Sequence, residues 1–238
     1  MPTAIVTGAS MGLGEALAHG LATAGWSLVI DARGGAELRV AATAMEADLV
    51  PGARVTALAG DITDPRHRAD LVAAAARLGD LELIVNNAST LGARPLPTLI
   101  AYPLEELGAL LEVNLVAPLG LTQAAAGALR RAARPRVLNI TSDAAVEAYP
   151  GWGGYGASKA ALDHLGAVLA AEEPGWQVWS VDPGDLRTRL HQDAFPGEDI
   201  SDRPLPATVV PALLALLESD RPSGRVRLAE LVAPGSGQ

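Results

Sequence analysis

The sequence predicts a three-layer, doubly wound α/β fold with a mostly parallel, seven-stranded sheet between two layers of helices. Three observations predict it. Short aliphatic runs alternate with amphipathic stretches of helical period along the chain. Hydrophobic residues make up 49% and aromatics only 3%, so the core must be built from Ala, Val, Leu and Ile. Such packing suits parallel strands buried on both faces. The glycine-rich and polar segments follow predicted strands, and a parallel sheet gathers strand ends on one edge. At 238 residues, a single domain spanning 1–238 is expected.

Residues 4–6 give the first strand, which enters Thr7-Gly8-Ala9-Ser10-Met11-Gly12-Leu13-Gly14. A helical pattern follows through Ala16, Leu17, Leu21 and Ala24 and stops at Gly25. Strand, glycine turn and helix together form a phosphate cradle. The glycines let backbone N–H groups approach a pyrophosphate, and the helix N-terminus favours its charge. Residues 28–30 give a second strand that ends in Asp31-Ala32-Arg33, where such a sheet reads an adenosine ribose. A helix over 36–48, a strand over 55–58 with Asp61 beyond it, and a helix over 65–78 come next. The fourth strand, 83–85, runs into Asn86-Asn87-Ala88-Ser89, whose paired amides can tie down backbone or line a crevice.

Residues 90–103, rich in Pro and Gly, loop over the same edge and carry Arg94. A long helix is expected over 104–133. It contains Asn114, whose amide needs partners in an apolar stretch, and Pro118, which removes a backbone donor and should distort the helix. The fifth strand, 137–141, ends at Ser142. After a turn through Tyr149-Pro150-Gly151-Trp152, Tyr155 and Lys159 lie one above the other on a helix. A phenol holds its proton until roughly pH 10. A neighbouring cation favours the phenolate and brings it toward the working range. Alone, such a pair is common on solvent-facing helices. A sixth strand over 176–181 ends in Asp182-Pro183-Gly184, and 185–206 reads as a covering segment that selects substrate. A helix over 207–217 and a last strand over 226–228 complete the pattern, and 234–238 is expected to fray.

The formal charge of −9 argues against nucleic-acid or anionic-membrane partners. With no cysteine there is no disulfide, thiol nucleophile or thiolate metal site. His19, His67, His164 and His191 lack metal-ligand spacing, so no metal is expected. The N-terminus lacks the basic start and cleavage site of a signal peptide, and no apolar run is expected to reach membrane-spanning length. A cytoplasmic protein is expected.

Thr7-Gly8-x3-Gly12-x-Gly14, Asp61, Asn86-Asn87-Ala88, Asn114, Ser142, Tyr155-x3-Lys159 and Pro183-Gly184-x3-Thr188 together resemble the short-chain dehydrogenase/reductase family, over nearly the whole chain. The resemblance implies a Rossmann fold and hydride transfer between a nicotinamide dinucleotide and a carbonyl or secondary alcohol. Tyr155 would exchange the proton, Lys159 would lower the phenol pKa and bind the nicotinamide ribose, and Ser142 would hydrogen-bond the substrate oxygen. Asn114 would hold a water joining Lys159 to solvent. The implied cofactor contacts are Thr7, Gly8, Ser10, Met11, Gly12, Leu13 and Gly14 around the pyrophosphate, and Asp31, Arg33, Asp61 and Ile62 around the adenosine. Asn87, Ala88, Ser89, Tyr155 and Lys159 lie further along, with Pro183, Gly184, Leu186 and Thr188 at the nicotinamide end. Ser89 departs from the family's usual glycine.

The expected substrate residues are Ser142, Ala144, Glu147, Trp152 and Tyr155. Trp152 and Leu190 would meet an apolar group, Glu147 and His191 a polar one. Arg33, placed to grip a 2′-phosphate, favours NADP(H); NAD(H) is the alternative that Asp31 would select. Asp31 lies one residue before the family's usual acid, and strand alternation should turn it away. In the family, the helix from about 104 and the helix after Tyr155 pair with symmetry mates, which implies a homo-oligomer, a tetramer before a dimer. The competing class is a catalytically idle dinucleotide-binding sensor or scaffold of the same fold. The extended sugar-nucleotide epimerases and dehydratases fit less well, since they carry a longer C-terminal substrate domain.

Overall fold

Parallel strands need crossover connections, and here each crossover lays its helices against one face of the sheet or the other. The computed structural model describes residues 1–232; the stretch 234–238, expected to fray, lies outside the described residues. The first half runs β1 (Pro2–Val6), α1 (Gly12–Thr23), β2 (Ser27–Ala32), α2 (Gly35–Ala47), β3 (Val55–Ala59), α3 (Pro65–Leu78) and β4 (Asp80–Asn86). The second runs α4 (Leu104–Leu111), α5 (Ala117–Leu129), β5 (Arg136–Ile140), α6 (Gly153–Glu172), β6 (Gln177–Asp182), α7 (Arg189–Ala194), α8 (Val210–Glu218), β7 (Gly224–Arg227) and α9 (Leu228–Val232).

The strand order is β3-β2-β1-β4-β5-β6-β7, and all seven strands are parallel. The sequence pattern had left room for an antiparallel member; none occurs among the described strands. The order reverses between β1 and β4, so the connections diverge there and leave a crevice at the carboxyl edge.

Strand alternation divides the core into two layers. Ala4 and Val6 of β1 join Leu17, Leu21, Leu38, Met45, Trp179 and Leu213 beneath α1, α2 and α8. Ile5, between them, joins Leu71, Ile84, Leu121, Leu129 and Val178 beneath α3 and α5. Trp179 is fully buried, and its indole N–H donates to the Pro222 carbonyl at 3.1 Å, so the ring stays satisfied inside the core.

The helix expected over 104–133 is broken. A π-helical turn, Glu112–Val116, separates α4 from α5, and α5 ends at Leu129. Pro118 has no N–H to offer the Asn114 carbonyl four residues earlier, so the regular ladder cannot run through this point. The expectation that no apolar run reaches membrane-spanning length is also corrected. The helical stretch Leu104–Leu129 has the length and, with a mean hydropathy of 1.3, the composition. Its apolarity has a packing cause: Ala117, Leu121, Ala125 and Leu129 are buried in the sheet layer. Leu104, Val116 and Leu119 stay exposed on its other side, as does Val168 of α6.

α1 is pressed against the turn that precedes it. A Cβ at Gly14 would lie 2.4 Å from the Gly8 carbonyl oxygen and 2.3 Å from the Asn87 amide nitrogen. Gly14→Ala therefore forces the helix off the turn, and urea unfolding should show a loss of about 1–3 kcal/mol.

Candidate active site

The glycine turn is fixed by its neighbours across the sheet. The Thr7 hydroxyl donates to the Val85 carbonyl at 3.1 Å and accepts from the Asn87 and Ala88 amides, each at 3.0 Å. The Asn87 side-chain amide donates to the Thr7 and Gly8 carbonyls at 2.8 and 3.1 Å. Gly8 and Gly12 have φ of 66° and 64°, which glycine alone adopts without strain, and a Cβ at Gly8 would touch the Ala88 backbone at 2.9 Å. The α1 N-cap, Met11, makes no side-chain hydrogen bond, so the first-turn amides are open to an anion.

The strand ends open into one cleft of about 960 Å³. Gly8, Ser10, Met11, Gly12 and Leu13 line it, as do Asp31, Arg33, Asp61 and Ile62. Asn87, Ala88, Ser89, Ser142, Ala144, Trp152, Tyr155 and Lys159 follow, then Pro183, Gly184, Leu186 and Thr188. Thr7, Gly14, Asn114 and Glu147 do not line it. Thr7 is spent on the strand-end lacing, and Gly14 faces Gly8 and Asn87. Glu147 is exposed and lies outside the cleft lining, although Tyr149 and Trp152 after it return to it. Asn114 lies fully buried behind the wall. Its amide nitrogen donates to the Thr90 carbonyl and the Ser158 hydroxyl, and its oxygen accepts from the Thr90 amide and the Ser89 hydroxyl.

Asp31 was expected to turn away from the cofactor face. It is 1% exposed yet lines the cleft floor; its Oδ1 accepts from the Gly8 amide at 3.0 Å, and its Oδ2 lies 3.1 Å from His67 Nε2. Arg33 is exposed and forms no ion pair among the described residues. Asp61 takes the Thr63 amide and hydroxyl on one oxygen; the backbone hydrogen bond is the main cause that holds its carboxyl below the usual range, with Arg33 adding to it.

Tyr155 and Lys159 share one face of α6 and are both buried. Burial pushes the Tyr155 phenol well above its ordinary range, against a lowering hydrogen bond with Ser89. The Lys159 ammonium lies 5.5 Å from the Tyr155 ring centroid and donates to the Ile140 carbonyl at 2.8 Å. Burial brings it down to about 8, with Asp163 opposing. The expectation that the lysine draws the phenol toward neutrality is corrected: desolvation dominates both groups here.

Two groups around the reacting centre, Asp143 and Arg225, went unread in the sequence. Asp143 accepts from the Ser142 hydroxyl at 2.9 Å, from the Ala144 amide at 2.8 Å and from the Tyr149 hydroxyl at 3.0 Å. Arg225 on β7 reaches the Ser142 carbonyl at 3.0 Å, Asp163 at 2.8 Å and Asp182 at 3.1 Å. Asp182 in turn accepts from the Gly184 amide at 3.0 Å. Phe195 and His191 come from the covering segment, where α7 was not foreseen. Asp143 adjoins Ser142 in the sequence and could have been found there. Arg225 had no such signal.

An all-parallel sheet with glycine turn, ribose-reading strand end and Ser/Tyr/Lys wall along one crevice defines a doubly wound α/β protein of the Rossmann type. The family model described as short chain dehydrogenase matches residues 2–199, and the chain belongs to this oxidoreductase family. It is 35% identical over 201 residues to the sepiapterin reductase of Rattus norvegicus, covering 79% of this chain and 75% of that protein. It is 30% identical over 202 residues to the gluconate 5-dehydrogenase of Gluconobacter oxydans, covering 84% and 77%. A short chain dehydrogenase of Shigella flexneri solved with NADP superposes with a TM-score of 0.86 at 25% identity, covering 95% of each chain.

The lysine has a consequence for stability. An unfolded Lys159 would hold its proton to roughly pH 10.4, whereas the folded one releases it near 8. Between those values the unfolded state binds the extra proton, so stability rises with pH across the window and is flat below it. Relative to a Lys159→Met variant, wild type should gain on the order of 3 kcal/mol from pH 7.5 to 10 in urea unfolding.

Proposed function

We propose that the chain moves a hydride between NADP(H), used in preference to NAD(H), and a carbonyl or secondary alcohol, with Tyr155 as general acid/base. One observation carries the reading: Ser142, Tyr155 and Lys159 line the same cleft whose far end holds the glycine turn and Arg33. The residues present fit a dinucleotide. The uncapped α1 N-terminus and positive-φ glycines suit a pyrophosphate, and Arg33, without an ion pair among the described residues, suits a 2′-phosphate. Bound nicotinamide supplies or takes up the hydride at the substrate carbon. In the reducing direction Tyr155 gives its proton to the carbonyl oxygen, and the buried phenol, kept protonated, is ready for that task. Ser142 turns its hydroxyl from Asp143 to the same oxygen as charge develops. Lys159, already held by the Ile140 carbonyl, offers its remaining N–H groups to the ribose. The Asn114 side-chain amide is fully engaged, so a water toward Lys159 would have to be held by its backbone.

The substrate end supports an apolar, ring-sized group beside the carbonyl. Trp152 stands edge-on to Tyr155 at 5.7 Å and 5.8 Å from Phe195, and His191 packs on Phe195 at 4.9 Å. His191 Nε2 is buried without a hydrogen-bond partner among the described residues and can meet a polar substituent. An idle binder is disfavoured because the chain keeps Asn114, Ser142, Tyr155 and Lys159. Exposed Leu104, Val116, Leu119 and Val168 support a homo-oligomer, a tetramer, closed through α4–α5 and α6.

Tyr155→Phe should lower kcat by more than tenfold, a deficit above ~1.4 kcal/mol, while NADPH affinity holds within twofold. Stopped-flow reduction and fluorescence titration check the two parts, and retained turnover would remove Tyr155 as the proton donor. Arg33→Ala should weaken NADP(H) by roughly 1.5–3 kcal/mol and barely alter NAD(H), as read from kcat/KM for each cofactor; a tenfold NAD(H) advantage in wild type would refute the preference. Light scattering at micromolar concentration should show a species near four times the 24.4 kDa chain mass.

A further inference from the structure

A carboxylate beneath the adenosine end of the cleft should repel a 2′-phosphate, yet Asp31 lies there beside Arg33. Its environment supplies an answer. Asp31 Oδ1 accepts from the Gly8 amide at 3.0 Å, and the ring of His67, from α3, offers Nε2 to Oδ2 at 3.1 Å. Both residues are buried, at 1% and 9% exposure. The ring is held in place from its other side, since a Cβ at Gly60 would lie 2.3 Å from His67 Nδ1. The pair is thus built into the fold under the ribose-reading strand end.

We propose that His67 is a specificity-determining residue for the cofactor: as an imidazolium it cancels the Asp31 charge and so admits a 2′-phosphate beside Arg33. The proposal rests on the dinucleotide reading above. Mainly through its hydrogen bond to Asp31, the His67 pKa is raised; burial opposes this, and Asp70 and Asp64 add to it. The other charged groups lining this end are Arg33, Glu37 and Asp61, and Arg33 acts on the Asp61 carboxyl as His67 does. As pH rises through the folded pKa of His67, Asp31 is left uncompensated and NADP(H) is disfavoured relative to NAD(H). The phosphate's own second ionisation near pH 6 acts in the opposite sense, adding charge for Arg33.

The test is isothermal titration of the full chain with NADP⁺ and NAD⁺ between pH 7 and 9, with thermal unfolding as a check on folding. His67→Gln keeps a donor for Asp31 but no charge. It should weaken NADP⁺ roughly three- to tenfold, the range for one charge at ribose distance, leave NAD⁺ within twofold, and abolish the pH dependence of the ratio. Adding Asp31→Asn should restore NADP⁺ to within twofold of wild type, which a merely structural role for His67 does not predict. Equal weakening of both dinucleotides, a double variant that stays weak, or a wild-type ratio flat with pH would each overturn the proposal. Wild type binding neither dinucleotide would overturn the proposed function itself, a separate outcome.

Discussion

The lacing of β1 to β4 by Thr7 and Asn87 is the contact on which the rest depends. Two strands diverging at a switch point leave a gap, and a glycine turn spanning it would otherwise be a floppy loop. The Thr7 hydroxyl serves two amides and a carbonyl at once, and the Asn87 amide holds two carbonyls of the turn. With these groups satisfied inside the sheet edge, the remaining N–H groups of the turn and of α1 face the cleft. The same lacing fixes where Ala88 and Ser89 leave β4, and hence which wall Tyr155 faces.

At the other end of the cleft the governing force is desolvation. Tyr155 and Lys159 are both withdrawn from water, and burial disfavours the charged form of each: the phenol is pushed up and the ammonium down. Opposing charges are near but arranged as support. Asp163 faces Lys159 along α6 and is itself engaged by Arg225. Of the two protons the lysine's is therefore the easier to release, and the phenol gives up its own only as a substrate oxygen becomes basic.

Much of this was legible in the sequence, for identifiable reasons. Aliphatic runs and helical periods located every strand among the described residues, because in a parallel sheet burial on both faces keeps the strands mostly aliphatic. Motif spacing brought Ser142, Tyr155 and Lys159 to one edge, since strand ends are fixed points. Position along a strand misled for Asp31: alternation says which side of the sheet a residue faces, whereas its partners, Gly8 and His67, come from the turn of β1 and from α3. Thr7, Gly14 and Asn114 fall among matched motifs yet serve the framework, because neighbouring backbone claims their polar groups or their space. The break in the long helix was signalled by Pro118, but its π form and the early end at Leu129 depend on packing that no local pattern records.

The bracing by Arg225 has a temporal side. Its guanidinium joins the Ser142 carbonyl, α6 and the end of β6, yet it lies on the last strand of the sheet. A chain emerging from the ribosome has Tyr155 and Lys159 available long before residue 225 arrives. Until β7 docks, Asp163 and Asp182 face each other's surroundings without the cation between them, and the strand end bearing Ser142 lacks its outer support. Bracing of the reacting centre therefore has to wait for the last strand, whereas the glycine turn, α1 and β4 that build the nucleotide cradle all come from the first half of the chain.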